Sequence, residues 1–539
     1  MTAISQNAMV VAPQPEAAEA GVDILRAGGN AIDAAIATAL VQGVVDPLMC
    51  GIAGFGSMAV YGAAKGTHEY IDFHAPAPKA ASADMWMDLI EGEARDGFGF
   101  ILRGRVNDIG YQSICVPAAL RGYALAHERH GRLPWAELFA PAIDWARKGW
   151  NVRPHVYEFW STPSEMGRVA NYERISRDLS ARRLYCREDG TPKQIGDEVR
   201  NVDLAETLEV IAKDGADALY TGELASAIVA DMQKHGGLIS SADLANYKPK
   251  INRPISTLYR GYEVTTNQPP GGGLMLIEML NILENFDLQT LGHNSKEYIR
   301  IVSEAMKHAT IDKDGSIGDP DYVEVPVAKL SSKTYAREVA ARIKNGERAD
   351  VPRFSPDGAC KDTTHLSVID EDGNCVSMTH SLGMPSGVIT EGLGFQYNGC
   401  MGVFDPRPDR AGSIAPGKAR FSSICPTIIF RNGSPYVVVG APGATQIAMG
   451  VLQTILNVLD FGTSMSEAVA LPRFSATSNV IDVTNRIPHR ITEQLKSDGY
   501  DIIRSPKSFG VSWVHGIRVT ENGLEGGADP GADGMAFGY

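Results

Sequence analysis

The sequence predicts an α/β protein, and three observations carry that reading. Apolar residues recur at helical spacing through residues 16–40, a strand–turn–strand pattern opens abruptly at Thr363, and a second hairpin at 426–440 runs straight into another helix.

In the first stretch Ala17, Ala20, Gly21, Ile24 and Leu25 share one helix face, and Gly28-Gly29 stops the helix. Asn30 is placed to cap a second helix, in which Ile32, Ala35, Ile36, Ala39 and Leu40 repeat the spacing. That helix is apolar nearly all round, which predicts burial, and Asp46-Pro47 ends it. The glycine-rich run Gly51–Gly56 leads into a short strand at 58–61 and permits close backbone packing. Residues 117–150 and 203–247 read mainly as helix. A strand follows at 260–266, and Pro269-Pro270-Gly271-Gly272-Gly273 opens a helix over 274–285. Residues 344–362 are polar, lack periodicity and read as an exposed linker.

At Thr363 the character changes. Thr-His-Leu-Ser-Val-Ile-Asp is a strand, Glu-Asp-Gly-Asn a turn, and Cys-Val-Ser-Met-Thr-His-Ser the return strand. Pairing Asp370 with Cys375 brings Thr363 and Thr364 opposite Leu382 and Ser381. The next hairpin turns at Asn432-Gly433, and the helix after it is opened by Ala441-Pro-Gly443-Ala444.

Composition narrows the function classes. Lys and Arg number 50 against 64 Asp and Glu, a net charge of −14, which argues against a nucleic-acid binder. No run of about 18 apolar residues predicts a membrane span, and no basic start with an apolar core marks a secretory signal, so the expected location is cytoplasmic. The seven cysteines are scattered and never form a C-x-x-C pair, which reads as reduced, buried thiols.

Common catalytic signatures are missing: there is no G-x-S-x-G elbow, no H-E-x-x-H and no metal-spaced Cys/His cluster. Gly412–Lys418 matches most of a phosphate-binding loop, but Ala419 replaces the magnesium-holding hydroxyl and Pro416 removes an amide, so an ordinary loop is the simpler reading. Thr363-Thr364 offers different chemistry. A threonine hydroxyl needs a base, and an α-amino group titrating near pH ~8 is one. A chain cut before a threonine therefore makes nucleophile and base in one residue. A Thr-Thr pair opening a strand is also plain β-propensity, and spacing alone does not choose.

A resemblance does choose. Leu25-Arg-Ala-Gly-Gly-Asn-Ala-Ile-Asp-Ala-Ala35, Gly236-Gly-Leu-Ile with Asp243-Leu, Tyr259-Arg-Gly-Tyr262, Asn281-Ile-Leu-Glu-Asn-Phe286, Glu304-Ala-Met-Lys307, Gly318-Asp-Pro320, Asp362-Thr-Thr-His365, Ser422-Ser423, Pro426-Thr427 and Ala441-Pro-Gly443 occur in this order. With them the chain resembles the gamma-glutamyltransferase family of N-terminal-nucleophile hydrolases. The resemblance implies a four-layer αββα sandwich. It implies a chain that cuts itself between Asp362 and Thr363 into a 1–362 large subunit and a 363–539 small subunit, which stay together as one intertwined heterodimer; a dimer of such heterodimers is compatible with it. It implies Thr363 as nucleophile, Ser381 as the hydroxyl that orients it, the Gly443 and Ala444 amides as oxyanion hole, and Ser422 and Ser423 as contacts of a substrate carboxylate. No cofactor and no metal is implied, and the partner is a small-molecule amide substrate.

Departures from the family pattern bear on that substrate. His74 stands where the family has a carboxylate-binding arginine, and Val403 where it has the acidic residue that meets the glutamyl ammonium. Gly383 and Cys400 replace amide side chains that contact the substrate. A neutral Val403 cannot pair with an ammonium, so the expected acyl group is small or dicarboxylic and lacks one, as in oxamate amidohydrolases and glutaryl (cephalosporin) acylases. A true gamma-glutamyl transferase or glutathione hydrolase is the alternative, and a non-catalytic binding protein on the same fold is the alternative from another class.

Overall fold

Ala31–Val45 carries almost no polar side chain, and in the computed structural model all of it but Gly43 is buried. The structure describes residues 3–94, 97, 99–163, 168–353 and 363–539. This helix, α2, packs with α1 (Pro15–Arg26) on the outer face of a β-sheet. The glycine stop and the cap fall where the sequence places them. Gly28 holds φ +93°, and the Asn30 side chain accepts from the amides of Ile32 and Asp33 while Asp33 answers the Asn30 amide.

Two seven-stranded sheets, antiparallel throughout, form the centre. In chain order their strands are β1 (Ala3–Ser5), β2 (Met9–Ala12), β3 (Phe55–Gly62), β4 (Thr67–Phe73), β5 (Lys250–Asn252), β6 (Ile255–Tyr259), β7 (Tyr262–Thr266), β8 (Thr364–Ile369), β9 (Cys375–Ser381), β10 (Thr427–Arg431), β11 (Ser434–Gly440), β12 (His515–Thr520), β13 (Gly523–Ala528) and β14 (Met535–Gly538). One sheet runs β14-β2-β8-β9-β3-β4-β5, the other β1-β13-β12-β11-β10-β7-β6. Strands from before and after Thr363 therefore interleave in both.

Met9, Val11, Ala59, Tyr70, Ile428, Phe430, Val438 and Ile517 fill the space between the sheets. Polar ties cross it too: Ser377 Oγ donates to Val439 O at 3.1 Å, and Tyr70 OH to Pro426 O at 3.1 Å. On the far side of the second sheet lie α3 (Gly273–Leu283), α4 (Lys296–Ser316) and α5 (Ile447–Leu459). Helix, sheet, sheet, helix is the four-layer αββα sandwich.

Two expectations need correction. The β8–β9 register is one residue off the expected one: Ile369, not Asp370, faces Cys375, and Thr364 faces His380. Asp370 leaves the ladder because its carboxylate is engaged elsewhere, accepting from the Asp372 and Asn374 amides and, across the fold, from Ala31 N at 2.9 Å. The stretch 344–362 is not uniformly exposed. Ala349 and Val351 are buried, with their amides bonded to Glu304 and Asn479, while 354–362 lies outside the described residues. The second hairpin is as read, with Asn432 (φ +53°) and Gly433 (φ +81°) both left-handed, as a two-residue turn requires. The six described cysteines are buried and unpaired.

Candidate active site

Thr363 sits at the start of β8, and the ladder places it beside the end of β9. Its Oγ donates to Ser381 Oγ at 3.2 Å, and Ser381 Oγ also accepts from the Gly383 amide at 2.8 Å. The serine hydroxyl is thus fixed from one side by the backbone and presents its remaining valence to Thr363. Thr363 holds φ +153°, which a β-branched residue adopts only where its surroundings impose it.

The frame around this pair is stiff for identifiable reasons. Gly54 lets β3 approach closely: a Cβ there would sit 2.3 Å from Ser381 O. Thr364 Oγ accepts from Gln42 Nε2 at 3.1 Å, Gln42 Oε1 meets His380 Nε2 at 2.8 Å, and His380 Nδ1 meets Tyr123 OH at 2.7 Å. This buried chain ties α2 to both strands. Burial holds the His380 imidazole down to about 3 and that of His365 well below its usual range, so both are neutral donors and acceptors at neutral pH.

The loop after β11 forms the opposite wall. Gly443 holds φ +142° and Ala444 φ +50°, and then a single turn, Ala444–Gln446, leads into α5. Ser512 packs beneath, its Oγ donating to Pro442 O at 2.5 Å; a Cβ on Gly443 would come within 2.9 Å of Ser512 Cα. Among the described residues neither the Gly443 nor the Ala444 amide has a backbone acceptor, so both donors remain available.

Thr363, Gly383, Val403, Ser422, Ser423 and Ala444 line one small cavity, together with Lys313, Arg420 and Phe421. Of the residues nominated from the sequence these six share one cavity, and Ser381 is hydrogen-bonded to Thr363. His74 lines a neighbouring, larger cavity of about 420 Å³ with Asp72, Lys79, Asp243, Lys250, Asp319 and Asp321. Its ring is buried, neither nitrogen has a hydrogen-bond partner among the described residues, and burial, then the positive charges of Arg420 and Lys250, hold its pKa down to about 3. The 3.9 Å gap to Asp72 is accordingly no ion pair. Val403 packs beside Ala444 and Met384. Asp362 lies outside the described residues.

No charged side chain in the cavity that holds Thr363 was singled out in the sequence. Of its two cations, Lys313 is paired with Asp314 and Arg420 has no carboxylate partner among the described residues. An arginine two positions before a serine pair was the only available signal. Lys418, at the end of the phosphate-loop-like run, donates to Ala411 O at 2.8 Å and serves its own loop.

The chain is 38% identical over 538 residues to the "Acylase ACY 1 proenzyme" of Pseudomonas sp. (strain SE83), covering 99% of this chain and 93% of that protein. It is 35% identical over 487 residues to the "Glutathione hydrolase proenzyme" of Pseudomonas sp. (strain A14), covering 87% of this chain and 81% of that one. The crystal structure of cephalosporin acylase from Bacillus halodurans superposes with a TM-score of 0.88 at 30% identity, covering 100% of this chain and 97% of that chain. The sequence signature of the family described as Gamma-glutamyltranspeptidase matches residues 17–539, nearly the full length, and the chain belongs to that family of N-terminal-nucleophile amide hydrolases.

Proposed function

We propose that the protein is a self-processing amide hydrolase that uses Thr363 to remove a small or dicarboxylic acyl group lacking an α-ammonium. The observation that carries this reading is the Thr363 Oγ–Ser381 Oγ contact of 3.2 Å in a cavity that Ala444, Ser422 and Ser423 also line.

In maturation the Thr363 hydroxyl adds to the carbonyl carbon of residue 362. The C–N bond breaks as the ester forms, and water then hydrolyses the ester. The products are a carboxyl terminus at Asp362 and a free amine on Thr363. In turnover that amine takes the hydroxyl proton while Oγ attacks the substrate amide, and passes it to the departing amine. The Gly443 and Ala444 amides are the proposed donors to the developing oxyanion, and such donors contribute about 3 kcal/mol each. Water resolves the acyl-enzyme.

The acyl preference follows from charge. The described lining holds no carboxylate to meet an ammonium, whereas it holds two cations and two serine hydroxyls suited to an acid group. The proenzyme names of the relatives support processing into two fragments that remain together as a heterodimer. A gamma-glutamyl substrate is the second reading, favoured by the glutathione hydrolase relatives.

Intact mass of the denatured protein after incubation at neutral pH tests the first part. Two fragments, the smaller starting at Thr363, are expected; a single 57.9 kDa species overturns self-processing. Glutaryl- against γ-glutamyl-p-nitroanilide tests the second, with faster turnover of the glutaryl compound expected.

A further inference from the structure

Residues 418–423 run between the two cavities. Pro76 and Ala419 form an isolated bridge on one side, and Ser422 N donates to Pro270 O at 2.8 Å on the other. Ala419 lines the larger cavity, and Arg420, Phe421, Ser422 and Ser423 line the one that holds Thr363.

Arg420 is only 4% exposed, yet no carboxylate of the described residues lies within ion-pair distance of it. Its Nη1 donates to Phe421 O at 3.2 Å, and its Nε has no partner among the described residues. The guanidinium lies over the Phe55 ring at 4.3 Å, which steadies the planar group by its face, and the Cys400 thiol lies beside it. A Cβ on Gly383 would stand 3.1 Å from Cys400 Sγ and 3.4 Å from Arg420 Nη2, so a side chain at 383 would meet both. Arginine cannot shed its proton, and a buried cation with unused donors is costly unless an anion completes it. The cavity that holds Thr363 therefore holds a preformed, forked anion receptor.

We infer that Arg420 is the specificity-determining residue that binds a second carboxylate on the acyl group, at the end away from the amide that Thr363 attacks. This rests on the proposed hydrolase reading and names its substrate class: mono-amides of short dicarboxylic acids. Two parallel N–H···O bonds suit a guanidinium and a carboxylate, and lysine cannot reproduce them.

The test compares glutaryl-p-nitroanilide with valeryl-p-nitroanilide, which has the same chain length and no carboxylate, on wild type, Arg420→Lys and Arg420→Met. Wild type is expected to prefer the glutaryl compound in kcat/KM. The preference should fall about 100-fold in Arg420→Met and about tenfold in Arg420→Lys. A preference unchanged by both substitutions, or a wild type with none, overturns the inference, because a merely structural role lowers both substrates together. Calorimetric titration with free glutarate and valerate gives a readout independent of turnover. Glutarate should bind wild type and weaken at least tenfold in Arg420→Lys, which retains the charge and guards against misfolding of Arg420→Met. Equal glutarate binding overturns the anchor. A wild type that hydrolyses neither amide, or that prefers γ-glutamyl-p-nitroanilide, overturns the proposed function instead, and the glutarate titration still decides Arg420.

Discussion

The two adjoining cavities differ in size and in electrostatic character. The larger is lined by Asp72, Asp243, Asp319 and Asp321 with Lys79 and Lys250, a mixed set whose charges largely answer one another, Lys250 pairing with both Asp319 and Asp321. The smaller one holds Thr363, the serine pair and a cation left without a carboxylate. Volume alone would select the first. The proposed chemistry selects the second, because a reacting site needs few groups held in fixed geometry and leaves some of them uncompensated for the substrate to complete. The partition at Ala419-Arg420 keeps the two apart.

The largest effect that separates the cavities is expected from Thr363→Ala. It should leave the chain uncut and lower amide hydrolysis by about 10⁴-fold or more, as removal of other catalytic nucleophiles does. Intact mass and a p-nitroanilide assay read both. Hydrolysis persisting at a tenth of the wild-type rate would move the chemistry out of the small cavity.

Gly443→Ala comes next. The substitution puts a Cβ at φ +142° and within 2.9 Å of Ser512 Cα, so the loop must shift and carry the Gly443 and Ala444 amides with it. A fall in kcat of about 100-fold is expected, with KM little changed, because the lost donors act on the transition state. A rise in KM alone would instead place this loop in substrate binding. Ser381→Ala should cost less, about tenfold to 100-fold in kcat, since it removes the hydroxyl proposed to orient Thr363 and leaves both proposed oxyanion donors in place. Ser381→Thr should restore most of the rate, and failure of that rescue would show that shape rather than the hydroxyl matters.

Local features of this molecule were legible in the sequence and long-range ones were not. The Asn30 cap, the glycine stop at Gly28, the Asn432-Gly433 turn and the all-round burial of α2 depend on neighbours within a few residues, and each stands where the residues place it. The β8–β9 register was off by one because Asp370 answers an amide at Ala31, a partner 339 positions away. Thr363, Ser381, Ser422, Ser423 and Ala444 came from family resemblance; the fold brings Thr363, Ser422, Ser423 and Ala444 to one cavity and sets Ser381 against Thr363. Arg420 carried no motif. Only the close approach of Phe55, Gly383 and Phe421 gives that residue its meaning, and no spacing rule encodes it.

His74 marks the other side of the comparison and gives the smallest effect on rate. The sequence puts it where a substrate carboxylate could meet a protonated ring. Its pKa is held down to about 3, so the ring is neutral wherever the enzyme is folded near neutral pH. His74→Asn should therefore change kcat/KM for a glutaryl amide by less than about threefold, with no break in the wild-type pH–rate profile assignable to this ring. Its effect should appear in stability. The unfolded ring takes a proton below about pH 6.5 and the folded ring does not, so this residue's contribution is intact above pH ~6.5 and is lost as the pH falls. At pH ~5 the loss amounts to about 2 kcal/mol, which His74→Asn removes. Asp72, held up to about 6 by burial, has the opposite sign: its folded form takes a proton first, so acid relieves it. Denaturant titrations of both proteins at pH ~5 and ~7 separate the two, because the variant retains Asp72 and loses only the histidine slope. A variant as acid-sensitive as the wild type would mean that the ring is protonated in the folded state, and His74 would then return as a candidate carboxylate ligand.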